Sequence, residues 1–329
     1  MPKSLDVVAI GNAIVDVIAR IDEAFLTTHG VERGAMTLID AERAQSLYAA
    51  MPPGVEVSGG SAGNTAAGLA ALGGRAGYVG KVRDDVLGQV FSHDITAQGV
   101  RFDTAPAMDG PPTARCLVLV TPDAQRSMNT YLGACVNLTP EDVDPAAISE
   151  AQVVYLEGYL WDPPQAKEAF LKAAKIAHDS GGKVALSLSD PFCVGRHRAE
   201  FLELVRHHVD ILFANEQEIV SLFEAKDFDE ALQKVRFEVE TAALTRSERG
   251  SVVVHRDEVH ILDAEKATRV VDTTGAGDLY AAGFLYGYTQ GRDAATCGRL
   301  GGLCAAEIIS HIGARPEVDL KQLVAARFG

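Results

Sequence analysis

The sequence has no C-x-x-C pair, and its five cysteines (Cys116, Cys135, Cys193, Cys297 and Cys304) are an odd number. Both facts argue against a zinc site or a disulfide framework and for reduced thiols in a cytoplasmic protein. No stretch approaches the ~18 uninterrupted apolar residues of a membrane-spanning helix. The opening MPKSLDVVAIGN carries one Lys and runs at once into a strand-like segment, without the apolar core of a signal peptide. Positive charge is scarce: 30 Lys and Arg stand against 45 Asp and Glu, a formal charge of −15. A surface this acidic repels phosphates, which argues against nucleic acid and membrane surfaces as partners. An anionic small molecule then needs a local positive site built from helix N-termini, Arg or a metal ion. Two phosphate-binding fingerprints are also missing. No G-x-x-x-x-G-K-[ST] occurs, and Gly11-Asn12-Ala13 stands where G-x-G-x-x-G would follow the first strand. A P-loop and a dinucleotide-binding site are therefore disfavoured.

What is present suggests a layered α/β protein. Short apolar runs, mostly β-branched, read as buried parallel strands: 7–10, 77–79, 153–156, 184–188, 211–213, 241–245 and 251–255. Between them lie helical patterns. Gln165 to Ser180 repeats apolar residues at three- and four-residue spacing and stops at Gly181-Gly182; Asn64 to Leu72 is a helix of small residues ending at Gly73-Gly74. The alternation predicts an α/β fold with a doubly wound, mostly parallel sheet. Residues 13–40 and 100–132 break the rhythm with extended segments and turns, including Asp109-Gly110-Pro111-Pro112. These two insertions are expected to pair into a small β lid, leaving 1–12, 41–99 and 133–329 as the main domain.

Two segments carry chemistry. Asp272-Thr273-Thr274-Gly275-Ala276-Gly277-Asp278 is a glycine-bearing turn feeding an apolar helix. The first N–H groups of such a helix have no internal partner, and its dipole favours an anion there. Asp278 would repel a bound phosphate unless it serves as a base for an attacking hydroxyl. The plainer alternative is a helix start with a charge suited to the dipole. The second segment, Ser58-Gly59-Gly60-Ser61-Ala62-Gly63-Asn64-Thr65, enters the small-residue helix. With Gly11-Asn12-Ala13-Ile14-Val15-Asp16 it offers a clamp for vicinal hydroxyls: the Asp16 carboxylate, the Asn64 amide and the Gly60 N–H. Here the plainer alternative is a turn Asp and a capping Asn. His207-His208 has no third ligand at metal spacing, and Trp161 and Phe192 read as core residues.

At these segments the chain resembles the ribokinase, or PfkB-type, carbohydrate kinase family. GGSAGNTAAGLAALGGRAGYVGKVRDDVLG (59–88) and DTTGAGDLYAAGFL (272–285) are similar to its paired signatures, in order and separation. Asn215-Glu216-Gln217-Glu218 matches the family's N-x-x-E motif, and His311-Ile312-Gly313-Ala314-Arg315-Pro316 resembles its closing segment. Within the family, GNAIVD (11–16), LSLSDPF (186–192), VDILFANEQE (209–218) and QRSMNTYLGA (125–134) are most similar to adenosine kinases. One departure is the segment Ala35-Met36-Thr37-Leu38, which lacks a Gln that adenosine kinases commonly use near the base.

The resemblance implies ATP-dependent phosphorylation of a nucleoside 5′-hydroxyl, adenosine first. Guanosine, inosine, or a sugar such as ribose or fructose are the alternatives. It assigns Asp278 as base, the amides of Gly275, Ala276 and Gly277 as the cradle of the transferred group, and Arg126 as a lid residue reaching phosphate. Asn12, Asp16, Gly60, Ser61 and Asn64 would hold the acceptor, with Tyr159 or its neighbour Leu160 against a base. Thr245, Gly250, Asn215, Gly275 and Gly277 would face ATP; Asn215 and Glu218 would serve Mg²⁺ through water. It also suggests K⁺ as a further cofactor, and a monomer or homodimer.

Overall fold

The structure is a computed structural model that describes residues 3–123 and 125–328. In chain order the strands are β1 (Leu5–Ile10), β2 (Ile14–Arg20), β3 (Met36–Leu38), β4 (Val55–Gly59), β5 (Ala76–Val79), β6 (Val100–Phe102) and β7 (Ala114–Val120). They continue as β8 (Arg126–Tyr131), β9 (Ala151–Glu157), β10 (Lys183–Ser187), β11 (Ile211–Asn215), β12 (Thr241–Thr245), β13 (Ser251–His255) and β14 (Glu258–Leu262).

The large sheet runs β14-β13-β12-β11-β10-β9-β1-β5-β6. All pairings from β6 to β12 are parallel. Helices cover both faces, so the central strands are apolar throughout; all six residues of β1 are buried. Alternation decides which layer each residue joins. Val8, Ile10, Val154, Leu156, Val184 and Leu186 enter one core, with the helices Pro164–Asp179 and Pro191–His208. Val7, Ala9, Val153, Tyr155 and Ala185 enter the other, with the helices Ser61–Ala71 and Ala276–Thr289. From β1 the chain winds outward to β5 and β6, then returns to β9 and winds the other way. The topological switch therefore lies between β1 and β9, where α/β sheets open a crevice at the strands' C-terminal ends.

A second sheet, β3-β8-β7-β2-β4, lies apart from the first. Its face bearing Val15, Val17, Leu117 and Leu119 packs into the main core; Cys116, Val118 and Val120 form a separate cluster with Ile14, Ile18, Met128 and Ile312.

Several expectations need correction. β13 pairs antiparallel with β12, and β14, not anticipated at all, pairs antiparallel with β13. A two-residue turn between β13 and β14 is long enough only for a hairpin. β4 lies in a segment expected to belong to the main domain, yet it joins the small sheet; β6 lies in an expected lid segment, yet it extends the large one. Phe192 is 82% exposed rather than core, whereas Trp161 is 4% exposed and packs on Phe170 and Phe201. The five cysteines are buried and free. No described helix is long and apolar enough to cross a membrane.

Candidate active site

Two helix N-termini meet beside the C-terminal ends of the central strands. The first belongs to Ser61–Ala71, capped by Gly60 at φ +81°. A Cβ at Gly60 would stand 2.2 Å from the Asn12 carbonyl oxygen, so only glycine lets β4 turn into this helix here. The second is Ala276–Thr289, capped by Gly275 at φ +78°. The helices pack closely: Leu279 and Ala282 occupy the space where a Gly68 side chain would go. That contact explains why 61–71 is built of small residues.

Asp278 sits where the two termini face each other. Its carboxylate accepts from Ser61 Oγ at 2.7 Å and from Asn64 Nδ2 at 2.8 Å. Burial pushes its carboxyl upward; the two hydrogen bonds and the nearby Arg315 charge pull it back. Among the expected phosphate amides, that of Ala276 donates to the Thr273 carbonyl at 3.2 Å. The N–H groups of Gly275 and Gly277 have no protein acceptor among the described residues. A side chain at Gly277 would meet nothing within 4 Å, so an anion can approach it freely.

Asp16 comes from within β2, not from a loop, and lies in register with Val57 and Cys116. The small sheet thus supplies it. Burial pushes its carboxyl up to about 6, with Arg315 and Arg126 opposing the rise and Asp278 adding to it. Asn12 lies at the switch point, where its backbone N–H and Nδ2 donate to Glu157 at 3.2 and 2.7 Å. Its Oδ1 is buried without a partner among the described residues, an acceptor free for a ligand hydroxyl.

Glu157, at the end of β9, was not among the expected site residues. It also accepts from Ala62 N at 2.7 Å, so one carboxylate joins the β1 loop to the start of the Ser61 helix. Burial pushes it up to about 7 despite these bonds. A lone acid closing the apolar run Val153–Leu156 was the available signal. Asp272 was missed too. It accepts from Thr274 N at 3.0 Å and Gly313 N at 3.1 Å, fixing the turn before Gly275. Arg126 Nε lies 3.0 Å from Asp272 Oδ2, an ion pair rather than an aligned hydrogen bond, and Nη2 has no hydrogen-bond partner among the described residues. The small sheet thereby brings a buried, under-satisfied guanidinium to the turn before Gly275.

Tyr159 follows Glu157 and is 37% exposed; Leu160 is fully buried in the core and cannot contact a ligand. Tyr159 Oη donates to the Ser189 carbonyl at 3.2 Å. Burial, and then the carboxylates of Asp190, Asp278, Glu218 and Glu157, push its phenol well up. Asn215 and Thr245 end adjacent strands in register.

The model of the pfkB family carbohydrate kinases matches residues 6–320. The chain belongs to the PfkB family of carbohydrate kinases. It is a phosphotransferase that acts on a hydroxyl group. Adenosine kinase from Sinorhizobium meliloti is 58% identical, with a TM-score of 0.90 over 98% of each chain. A probable sugar kinase from Rhizobium etli is 53% identical, with a TM-score of 0.92 over 99% of each chain. Adenosine kinase of Saccharomyces cerevisiae is 28% identical over 93% of this chain and 95% of its own.

Kinases of this family use ATP, usually with Mg²⁺. Asn215 and Glu218 form a capping box. Glu218 Oε2 accepts from Asn215 N at 2.8 Å, Oε1 from Asn215 Nδ2 at 2.5 Å, and Asn215 Oδ1 accepts from Glu218 N at 2.9 Å. Burial pushes the Glu218 carboxyl up to about 7. No group of three or more His, Cys, Asp or Glu among the described residues could hold a metal ion by itself. The donor set suits an ion that keeps its waters and arrives with ATP, as Mg²⁺ does.

Gly250 has a backbone role in the kinase. It adopts φ +78° and ψ −133°, and a Cβ would stand 2.0 Å from the Leu262 carbonyl oxygen. Gly250→Ala is expected to cost roughly 2 kcal/mol or more, through strain and displacement of β14. Urea unfolding measures it; an unchanged midpoint with a raised KM for ATP would instead make Gly250 a nucleotide contact.

Proposed function

We propose that the kinase transfers the γ-phosphoryl group of ATP to the 5′-hydroxyl of a nucleoside, with adenosine the preferred acceptor. The observation that carries this reading is Asp278 in the first turn of a helix with unengaged N–H groups, held by Ser61 and Asn64. The hydroxyl oxygen attacks the γ-phosphorus, its proton passes to Asp278, and the bond to the β-phosphate oxygen breaks to release ADP. The amides of Gly275 and Gly277 and the guanidinium of Arg126 stabilise the charge on the moving group. Asn215 and Glu218 would hold Mg²⁺ through water when it is bound with ATP, and the ion would supply positive charge against the phosphates.

Asp16, Asn64 and Asn12 face the hydroxyls of the ribose. Two features favour a base attached to it. The cluster formed by Cys116, Val118 and Val120 with Ile14 and Ile18 gives the small sheet an apolar face, and the exposed Tyr159 follows the end of β9. The adenosine kinases among its relatives support the same acceptor.

Release of ADP, followed with ATP, Mg²⁺ and a panel of adenosine, guanosine, inosine, cytidine, ribose and fructose, tests this. Adenosine is expected to give the highest kcat/KM. Turnover confined to free sugars would replace the nucleoside reading with that of a sugar kinase.

A further inference from the structure

Arg315 belongs to the loop after the helix Ala294–Ile308, far in sequence from Asn64 and Ser58, which it reaches. Its guanidinium donates to the Asn64 Oδ1, to the Ser58 carbonyl at 2.5 Å and to Ser58 Oγ at 3.1 Å. Its Nε is buried and has no partner among the described residues. We propose that Arg315 is a positioning residue of the acceptor site, which locks the Asn64 amide and balances the charge of Asp16 and Asp278.

The locking follows from donor and acceptor chemistry. Arg315 offers only donors and ionised Asp278 only acceptors. An amide between them satisfies both in one orientation alone, with Oδ1 toward Arg315 and Nδ2 toward Asp278. The Asp278 carboxylate is then aimed from two sides, by Ser61 and by an amide that cannot flip. Without Arg315, the reversed amide would present its oxygen to the carboxylate and repel it.

The balancing follows from position. Asp278 makes the ionisation of Asp16 harder, and both carboxyls are desolvated. Of the nearby positive charges, Arg315 lowers each carboxyl the most. Burial lowers its own pKa, yet a guanidinium remains protonated in proteins. Other charged or titratable groups also surround this trio. Asp94, on the helix Val86–Ala97, and Tyr78, on β5, face Arg315. Arg126 on β8 and Cys116 on β7 face Asp16. Tyr155 and Glu157 on β9, with Tyr159 beyond them, face Asp278. Among these neighbours Arg126 alone shares Arg315's sign, and it is paired with Asp272.

The inference rests on the reading of Asp278 as base and Asp16 as hydroxyl acceptor, so both are tested together. The pH profile of kcat/KM for the acceptor is measured for the native kinase, Arg315→Met, Arg315→Lys and Asp278→Asn. An opposite charge at this range lowers a carboxyl by about 1–3 pH units. Arg315→Met is therefore expected to move the acidic limb upward by about 1–3 units, while Arg315→Lys keeps the limb in place and raises the acceptor KM. A native limb in folded Arg315→Met overturns the proposal. Should that variant fail to fold, an upward-shifted limb in Arg315→Lys overturns it, since the charge is retained there. Near-native turnover by Asp278→Asn would instead sink the assignment of the base. An inactive Asp278→Asn beside an unmoved limb in Arg315→Met would sink the Arg315 inference alone.

Discussion

Asp278→Asn is expected to lower kcat by about 10²–10⁴-fold, the usual contribution of a positioned general base. The carboxylate spends two of its acceptor sites on Ser61 and Asn64, at 2.7 and 2.8 Å, and keeps others for the incoming hydroxyl. An asparagine of the same shape has only one oxygen. Its NH₂ group would face either a donor from Ser61 or Asn64, or the proton that must be removed. Phosphoryl transfer asks little covalent chemistry of the protein, so loss of the proton acceptor strikes the chemical step and not the grip on ATP. Steady-state ADP release with ATP varied checks this, and KM for ATP is expected to stay within a few-fold of native. A kcat near native would transfer the role to another group or to solvent.

Asp16→Asn is expected to lower kcat/KM for the acceptor by about 10²–10⁴-fold, the loss of two hydrogen bonds to a charged group at about 1.5–3 kcal/mol each. KM for ATP should hold, because Asp16 is carried by the small sheet on the acceptor side. The pH dependence gives a second check with a definite sign. The Asp16 carboxyl is pushed up to about 6 by burial, and it binds hydroxyls as the ionised form. Native kcat/KM for the acceptor should therefore be level above pH ~7 and fall as pH drops through ~6. Asp16 and Asp278 influence one another, so that limb belongs to the pair. In Asp16→Asn the like charge is gone, and the remaining limb, owed to Asp278, should move to lower pH. A limb that stays at ~6 in this variant would show that Asp16 does not titrate in the acceptor complex.

The glycine-bearing turn at Gly275 was legible because local sequence sets local backbone. Gly275 and Gly277 before an apolar helix mark its start, and Asp278 falls in the first turn wherever the helix points. The parallel strands were legible for a similar reason: a strand covered on both faces must be apolar along its length, as β1 is. The small sheet was less so. β4 is short and flanked by Gly and Pro, and nothing local distinguishes a strand that pairs with β2 from one that pairs with β1. Pairing partners are long-range facts. For the same reason Asp16 reads in the sequence as a loop residue past β1, while in the fold it lies within β2.

By itself, the sequence determined the α/β class, the run of the central strands, the two glycine-bearing helix starts and the acid that follows one of them. Each depends on residues within a turn or a strand of one another, where hydrogen-bonding capacity and side-chain period act directly. Only the tertiary structure decided that Glu157 ties the β1 loop to the Ser61 helix, that Asp272 pairs with Arg126, and that Arg315 reaches Asn64 from 251 positions away. Those partners have no common local pattern. Buried charges choose their companions by proximity in a desolvated space, and that space exists only after the two sheets and their helices have packed.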